Sequence, residues 1–134
     1  MSRVRLNSSP ALHDGGFPYS ATVSAGPLIF TAGISPLDAD GAVIAPGDVV
    51  EQTRACLQNL TTVLAEQGAS LGDIAKLTVY VAERLQADLV VAWEAITAGF
   101  GDAVPPPAMM MGVTVLPYDD QVVEIEAVAA PPVA

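Results

Sequence analysis

The chain has 134 residues, which is most simply one domain, and it is 51% hydrophobic with only 15% charged residues. Its formal charge is −10, and its five cations (Arg3, Arg5, Arg54, Lys76 and Arg84) are scattered. Phosphate backbones and anionic membrane surfaces are gripped by clustered Lys and Arg, so neither nucleic acid nor a membrane is expected as a partner.

No apolar run reaches the roughly 20 residues that span a bilayer. Met1-Ser2-Arg3-Val4-Arg5-Leu6 carries basic residues with no apolar core behind them, so no signal peptide is expected. Cys56 is the only cysteine; it allows no intrachain disulfide and fits a reducing, cytoplasmic compartment. A small domain has limited interior volume, so this much apolar surface predicts burial of part of it against other subunits.

Val4 to Leu6 reads as a short edge strand and Asn7 to Gly16 as a loop. Tyr19–Ala25 and Leu28–Ala32 read as strands joined in a hairpin at Gly26-Pro27. Asp38 to Pro46 is turn-rich. A helix is predicted from Asp48, whose carboxylate can cap free amides, with Val50, Thr53, Cys56, Leu57, Leu60, Val63 and Leu64 as its buried stripe and Gly68 at its end. Ala75–Val81 alternates and is β-branched, hence a strand. Leu85–Phe100 reads as a second helix with Leu89, Trp93, Ile96 and Phe100 on one face. The prolines at 105–107 form a rigid linker. Ala108–Leu116 and Gln121–Ala129 read as a terminal hairpin through Pro117-Tyr118-Asp119-Asp120, and 130–134 as a loose tail.

The order β-β-β-α-β-α-β-β predicts a single α+β domain over 1–134, its first 16 residues partly loop, with two helices packed on one face of a mixed sheet. Strand 108–116 carries no charge on either face, and a strand with two largely apolar faces is buried on both. With helices on one side only, the second cover is expected to be another subunit.

Val104 to Val113 (Val-Pro-Pro-Pro-Ala-Met-Met-Met-Gly-Val), Leu116-Pro117 and Val123-Glu124-Ile125-Glu126-Ala127 form one set of signals; Pro18-Tyr19-Ser20, Phe30-Thr31-Ala32-Gly33 and Gln52-Thr53 form another. Together they resemble the Rid (YjgF) family of reactive-intermediate deaminases, from about Phe17 to Ala129. The resemblance implies a chorismate-mutase-like fold, a homotrimer with the uncovered sheet faces inside, and three clefts between subunits that bind a small molecule without a cofactor. Some relatives carry ribonuclease labels, which this acidic composition does not support.

Glu124 and Glu126 share one strand face. The plain reading is a solvated pair; the functional reading is a glutamate that lines a cleft and holds a water, where desolvation makes a carboxylate a better base. The resemblance selects Glu124 for that role and leaves Glu126 structural. It places Tyr19 as cleft wall and hydrogen-bond donor, against an ordinary strand tyrosine. It places backbone near Gly33 in contact with substrate.

This chain also departs from the family. The arginine that clamps a substrate carboxylate is replaced by Ala108, a frequent cysteine two residues on by Met110, and a serine by Ala32, while Ser35 is a partial polar substitute. Losing a bidentate guanidinium makes a free 2-imino acid a poor substrate and favours a neutral or largely apolar one. Met109 and Met111 read most simply as packing. No metal site is expected, because one His and one Cys cannot build the usual zinc set. His13, in a loop, and Cys56, on the buried stripe, are not expected to act.

Three functions fit: a cofactor-free imine or enamine hydrolase, a non-catalytic trimeric ligand-binding protein, and a cyclase or dehydratase reusing the same cleft.

Overall fold

The computed structural model describes residues 2–133; Met1, and Ala134 at the end of the predicted tail, lie outside it. Helix α1 spans Val49–Glu66. It begins where predicted because the Asp48 carboxylate accepts from the Glu51 amide at 2.9 Å. It ends at Gln67 and Gly68, whose amides bond back to Leu64 and Ala65, with Gly68 at φ 79°. Gln52, Thr53, Cys56, Leu57, Leu60 and Leu64 are its buried stripe. Helix α2, Gln86–Phe100, packs beside α1 and buries Ala92, Ala95, Ile96 and Phe100.

The strands are β1 (Val4–Asn7), β2 (Ser20–Val23), β3 (Ile29–Phe30), β4 (Ile74–Val81), β5 (Ala108–Gly112) and β6 (Val123–Ala129). Element order and fold class follow the sequence reading; three details differ. First, β2 pairs antiparallel with β1, while β3 pairs with β6, so Gly26-Pro27 joins two sheets and forms no hairpin. Buried Arg3 holds that junction by donating to the carbonyls of Ser24, Pro27 and Pro131.

Second, β5 and β6 are no hairpin. The four-stranded sheet runs β3-β6-β4-β5, with β4 and β5 parallel and the other pairs antiparallel. The reason is the β4–α2–β5 unit: a helix between two strands returns the second one parallel to the first. The other side of β4 is then left for β6. Third, the tail is held at its root, since Ala130 is fully buried and its amide donates to the Asp73 carbonyl at 2.9 Å.

Alternation divides the sheet. Leu77, Val79 and Val81 of β4 and Val123, Ile125, Ala127 and Ala129 of β6 face the helices and form the core with the α1 stripe. Register places Tyr80 beside Glu124 and Thr78 beside Glu126 on the opposite face. Met109 and Met111 pair with Thr78 and Tyr80 there, and Phe30 pairs with Val128. No helix among the described residues covers this face, and within one chain Phe30 is 73% and Met109 51% exposed.

Candidate functional site

Glu124 is half-buried on the uncovered face of β6. Its Oε1 accepts from Ser35 Oγ at 2.8 Å, and Ser35 Oγ accepts from Gln121 Nε2 at 3.1 Å. Buried Gln121 is fixed by donating also to the Val123 carbonyl at 3.0 Å and by accepting from the Tyr118 amide at 3.2 Å. Ser35 is held through its own backbone, because Asn59 Nδ2 on α1 donates to the carbonyls of Ser35 and Leu37, each at 3.0 Å. A chain of side chains from two loops and a helix therefore orients one carboxylate oxygen.

Gly33 lies against the same carboxylate. A Cβ built there falls 2.8 Å from Glu124 Cδ and 3.0 Å from Oε2. The segment is tied to β6 by reciprocal bonds between Ile34 and Ile125 at 2.6 and 3.1 Å. A side chain at position 33 would have to push the carboxylate aside, so glycine leaves it in place. Ala32 precedes it and is exposed. Of the sequence-selected residues, Glu124, Gly33 and Ser35 are thus brought together, with Ala32 beside them.

Tyr19, Ala108 and Met110 form a second group. Ala108 and Met110 pair with Leu77 and Val79, on the helix-facing side of the sheet. With Phe17, Pro18, Tyr19, Lys76, Trp93, Pro106 and Pro107 they line a pocket of about 330 Å³. Tyr19 Oη donates to the His13 carbonyl at 2.7 Å, so within one chain its proton is engaged by the loop. Along β4, the partner of Ala108 (Leu77) lies three residues from the partner of Glu124 (Tyr80), about 10 Å at strand rise. Within a single chain, then, the two groups neither share a face nor meet.

Beside Glu124, Tyr80 Oη donates to Glu126 Oε1 at 2.7 Å. That bond, with desolvation and the charges of both glutamates, holds the phenol above its ordinary pKa of 10.0. Under the strand, Cys56 is buried and its Sγ donates to the Val123 carbonyl at 3.7 Å. Burial first, and the Glu124 charge second, push this thiol up to about 12, so it is no nucleophile at neutral pH. No three His, Cys, Asp or Glu residues gather as a metal-binding group among the described residues. No described helix is long and apolar enough to cross a membrane.

Sequence reasoning missed Gln121, Asn59, Tyr80 and the placement of Lys76 and Trp93. Gln121 stands between Asp119-Asp120 and Val122-Val123, where it reads as the polar end of a turn. Asn59 on a helix surface and Lys76 in a strand give no signal.

The sequence pattern of the family described as Endoribonuclease L-PSP matches residues 13–131. A RutC family protein of Pyrococcus abyssi is 37% identical over 112 residues, covering 84% of this chain and 85% of that protein. The Escherichia coli protein TdcF, provisionally named a reactive intermediate deaminase, is 33% identical over 114 residues, covering 84% and 85%. Protein mmf1 of Schizosaccharomyces pombe, named as mitochondrial, is 37% identical over 129 residues, covering 94% and 74%. Among solved structures, the Rid family protein YyfB of Yersinia pestis, of unknown function, aligns with TM-score 0.88 at 28% identity, covering 95% of this chain and 98% of that one. E. coli TdcF with bound serine aligns with TM-score 0.70 at 30% identity, covering 90% and 91%. With nearly the whole chain matched in both sequence and fold, this protein belongs to the YjgF/Rid family.

Proposed function

We propose that the chain is a cofactor-free hydrolase that removes the amino group of a reactive imine or enamine, working as a homotrimer. The observation that carries this reading is the Glu124 carboxylate on an uncovered sheet face. Ser35, held by Gln121, engages Oε1, while Oε2 lies over a residue without a side chain. Such a carboxylate can accept a proton from a water placed beside Gly33. The water oxygen bonds to the C=N carbon as its proton passes to Glu124. Glu124 passes that proton to the nitrogen, giving the carbinolamine; its hydroxyl then gives its proton to Glu124, C=O forms as the C–N bond breaks, and the leaving nitrogen takes this second proton from Glu124. One imine and one water become one carbonyl compound and one amine or ammonia.

Trimer assembly is part of the proposal. Phe30, Met109 and Glu124 share the uncovered face, and covering it with a neighbour excludes water around the carboxylate. It also offers a route by which the Tyr19 group of one subunit meets the Glu124 group of the next. The absence of a guanidinium at Ala108 sets this cleft apart from relatives that clamp a carboxylate bidentately.

The test compares a neutral imine with the 2-imino acids generated in situ by an amino-acid oxidase. Wild type accelerates carbonyl release from the neutral imine more than from the imino acids; Glu124→Gln, which keeps size and removes the base, loses roughly 100-fold or more with oligomeric mass unchanged. Ala108→Arg gains activity on small imino acids. Equal rates for wild type and Glu124→Gln refute the mechanism. They favour a ligand-binding protein, a reading to which the engaged Tyr19 hydroxyl and the serine-bound TdcF structure lend support.

A further inference from the structure

The Ser35 hydroxyl is engaged from two sides, and its two hydrogen bonds run in one direction. Gln121 sets that direction. Its Oε1 accepts from the Tyr118 amide at 3.2 Å, and its Nε2 donates to the Val123 carbonyl at 3.0 Å. A backbone N–H cannot accept and a carbonyl cannot donate, so this side-chain amide admits no flip. The second Nε2 proton goes to Ser35 Oγ at 3.1 Å. A hydroxyl has one proton, and here it points to Glu124 Oε1 at 2.8 Å.

A nucleophile is activated when a base stands within hydrogen-bond reach and both groups are held by others. Glu124 is such a base for Ser35. Gln121 adds a donor to the oxygen that turns negative as its proton leaves, and one lone pair of Oγ remains for attack. Asn59 holds the Ser35 backbone through its carbonyl at 3.0 Å.

Acyl transfer also needs donors for a developing oxyanion. The amides of Thr31 and Ile34 donate to the carbonyls of Ala127 and Ile125. Three residues on one side thus pass two on the other, and the chain bulges at Ala32-Gly33. Both residues are exposed, and their amides have no acceptor among the described residues. No Lys, Arg or His bonds to Ser35 or Glu124 among the described residues. The pair therefore suits an uncharged substrate.

We propose that Ser35 is a nucleophile toward small uncharged esters, with Glu124 as its base and Gln121 as the donor to its oxygen. Ser35 Oγ bonds to the ester carbonyl carbon as its proton passes to Glu124 Oε1. The C–O bond to the alcohol breaks, and the departing oxygen takes that proton. Water then adds to the acyl-serine and gives a proton to Glu124. The Oγ–C bond breaks, and Oγ recovers the proton. One ester and one water become one acid and one alcohol. Imine hydrolysis uses Oε2 of the same carboxylate, so this activity is additional to it and stands without it.

The test traps the nucleophile in the native assembly. A neutral fluorophosphonate ester transfers its phosphorus to Oγ; the P–F bond breaks, fluoride leaves and the hydroxyl proton passes to Glu124. Wild type gains one adduct per chain by intact mass, and peptide mapping places it on Ser35. Ser35→Ala gains none, with an unchanged circular dichroism spectrum. Glu124→Gln labels at least roughly tenfold more slowly, and hydrolysis of p-nitrophenyl acetate falls in parallel in both variants. No adduct on Ser35, or equal labelling rates in wild type and Glu124→Gln, overturns the proposal. An adduct on Ser35 without imine hydrolysis keeps the nucleophile and sinks the imine reading. Imine hydrolysis without an adduct does the reverse.

Discussion

Gln52 is fully buried in α1 and uses its whole amide. Nε2 donates to the carbonyls of Ala45 at 3.1 Å and Asp120 at 2.9 Å, while Oε1 accepts from the amides of Val122 at 2.7 Å and Val123 at 3.3 Å. Ala45 (φ 45°) and Asp120 (φ 65°) are the positive-φ residues other than glycine among those described. One side chain therefore ties down two left-handed turns and the entry to the strand that carries Glu124. Gln52→Leu keeps the size and removes all four contacts. The two carbonyls retain one donor each, from Asp48 and Gly47 at 3.0 Å, so the main orphan is the Val122 amide. An unmet buried donor costs about 1–3 kcal/mol, and each lost donation to a carbonyl that keeps another donor about 0.5 kcal/mol. The expected loss is about 3 kcal/mol, or roughly 10 °C in Tm for a domain of this size. Urea unfolding followed by circular dichroism measures it, with an unchanged slope. Gln52→Glu keeps the acceptor and turns a carboxylate on two carbonyls, so its stability falls as pH rises through the carboxylate range. Gln52→Leu within about 1 kcal/mol of wild type would refute the clamp.

Three further outcomes follow from the site. Gly33→Ala places a methyl 2.8 Å from Glu124 Cδ; the carboxylate must move, so imine hydrolysis drops by about tenfold or more while Tm changes little, because Gly33 has no left-handed φ to strain alanine. In an ultraviolet pH titration one tyrosine ionises later than the ordinary 10.0, and Tyr80→Phe abolishes that late step; the bond's contribution to stability is present below pH 10 and lost as pH rises through the raised value. Cys56 resists alkylation in the native protein at pH 8 and reacts once unfolded. Since its pKa is about 12 folded against 9.0 as the ordinary value, the unfolded chain holds fewer thiol protons in that window. Stability relative to Cys56→Ala therefore falls by about 1.4 kcal/mol per pH unit between them, measured by unfolding at stepped pH.

The helices were legible because their signals are local. Asp48, the stripe through Cys56 and Leu60, and Gly68 each act within a few residues of the helix they define. Strand positions were legible for the same reason, and the alternation Val123-Glu124-Ile125-Glu126 fixed which side chains share a face. Pairing was not legible. Whether β2 meets β1 or β3, and whether β6 meets β5 or β4, depends on distant partners, and the Gly-Pro and Pro-Tyr-Asp-Asp signals read the same in a hairpin and in a longer connection. The β4–α2–β5 succession did contain the answer, since a helix between two strands argues for a parallel pair and so against a β5–β6 hairpin.

The site was legible in its residues and illegible in its grouping. Glu124, Gly33 and Ser35 were selected from motifs and do converge. Ala108 and Met110 were selected from motifs too, and within one chain they point the other way, because β5 pairs with β4 in a register that aligns them with Leu77 and Val79. A one-residue slip would have sent both to the face of Glu124 and Met109 to the helices. That register is held by the Leu77 amide, which donates to the Pro107 carbonyl at 3.0 Å, and by the Val113 amide, which donates to the Val81 carbonyl at 2.9 Å. The apolar replacements at 108 and 110 therefore reshape the pocket that Lys76 and Trp93 share, leaving the surroundings of Glu124 to Gly33, Ser35 and Gln121. The Ser35–Glu124 and Gln121–Ser35 hydrogen bonds that orient the carboxylate involve neither Ala108 nor Met110.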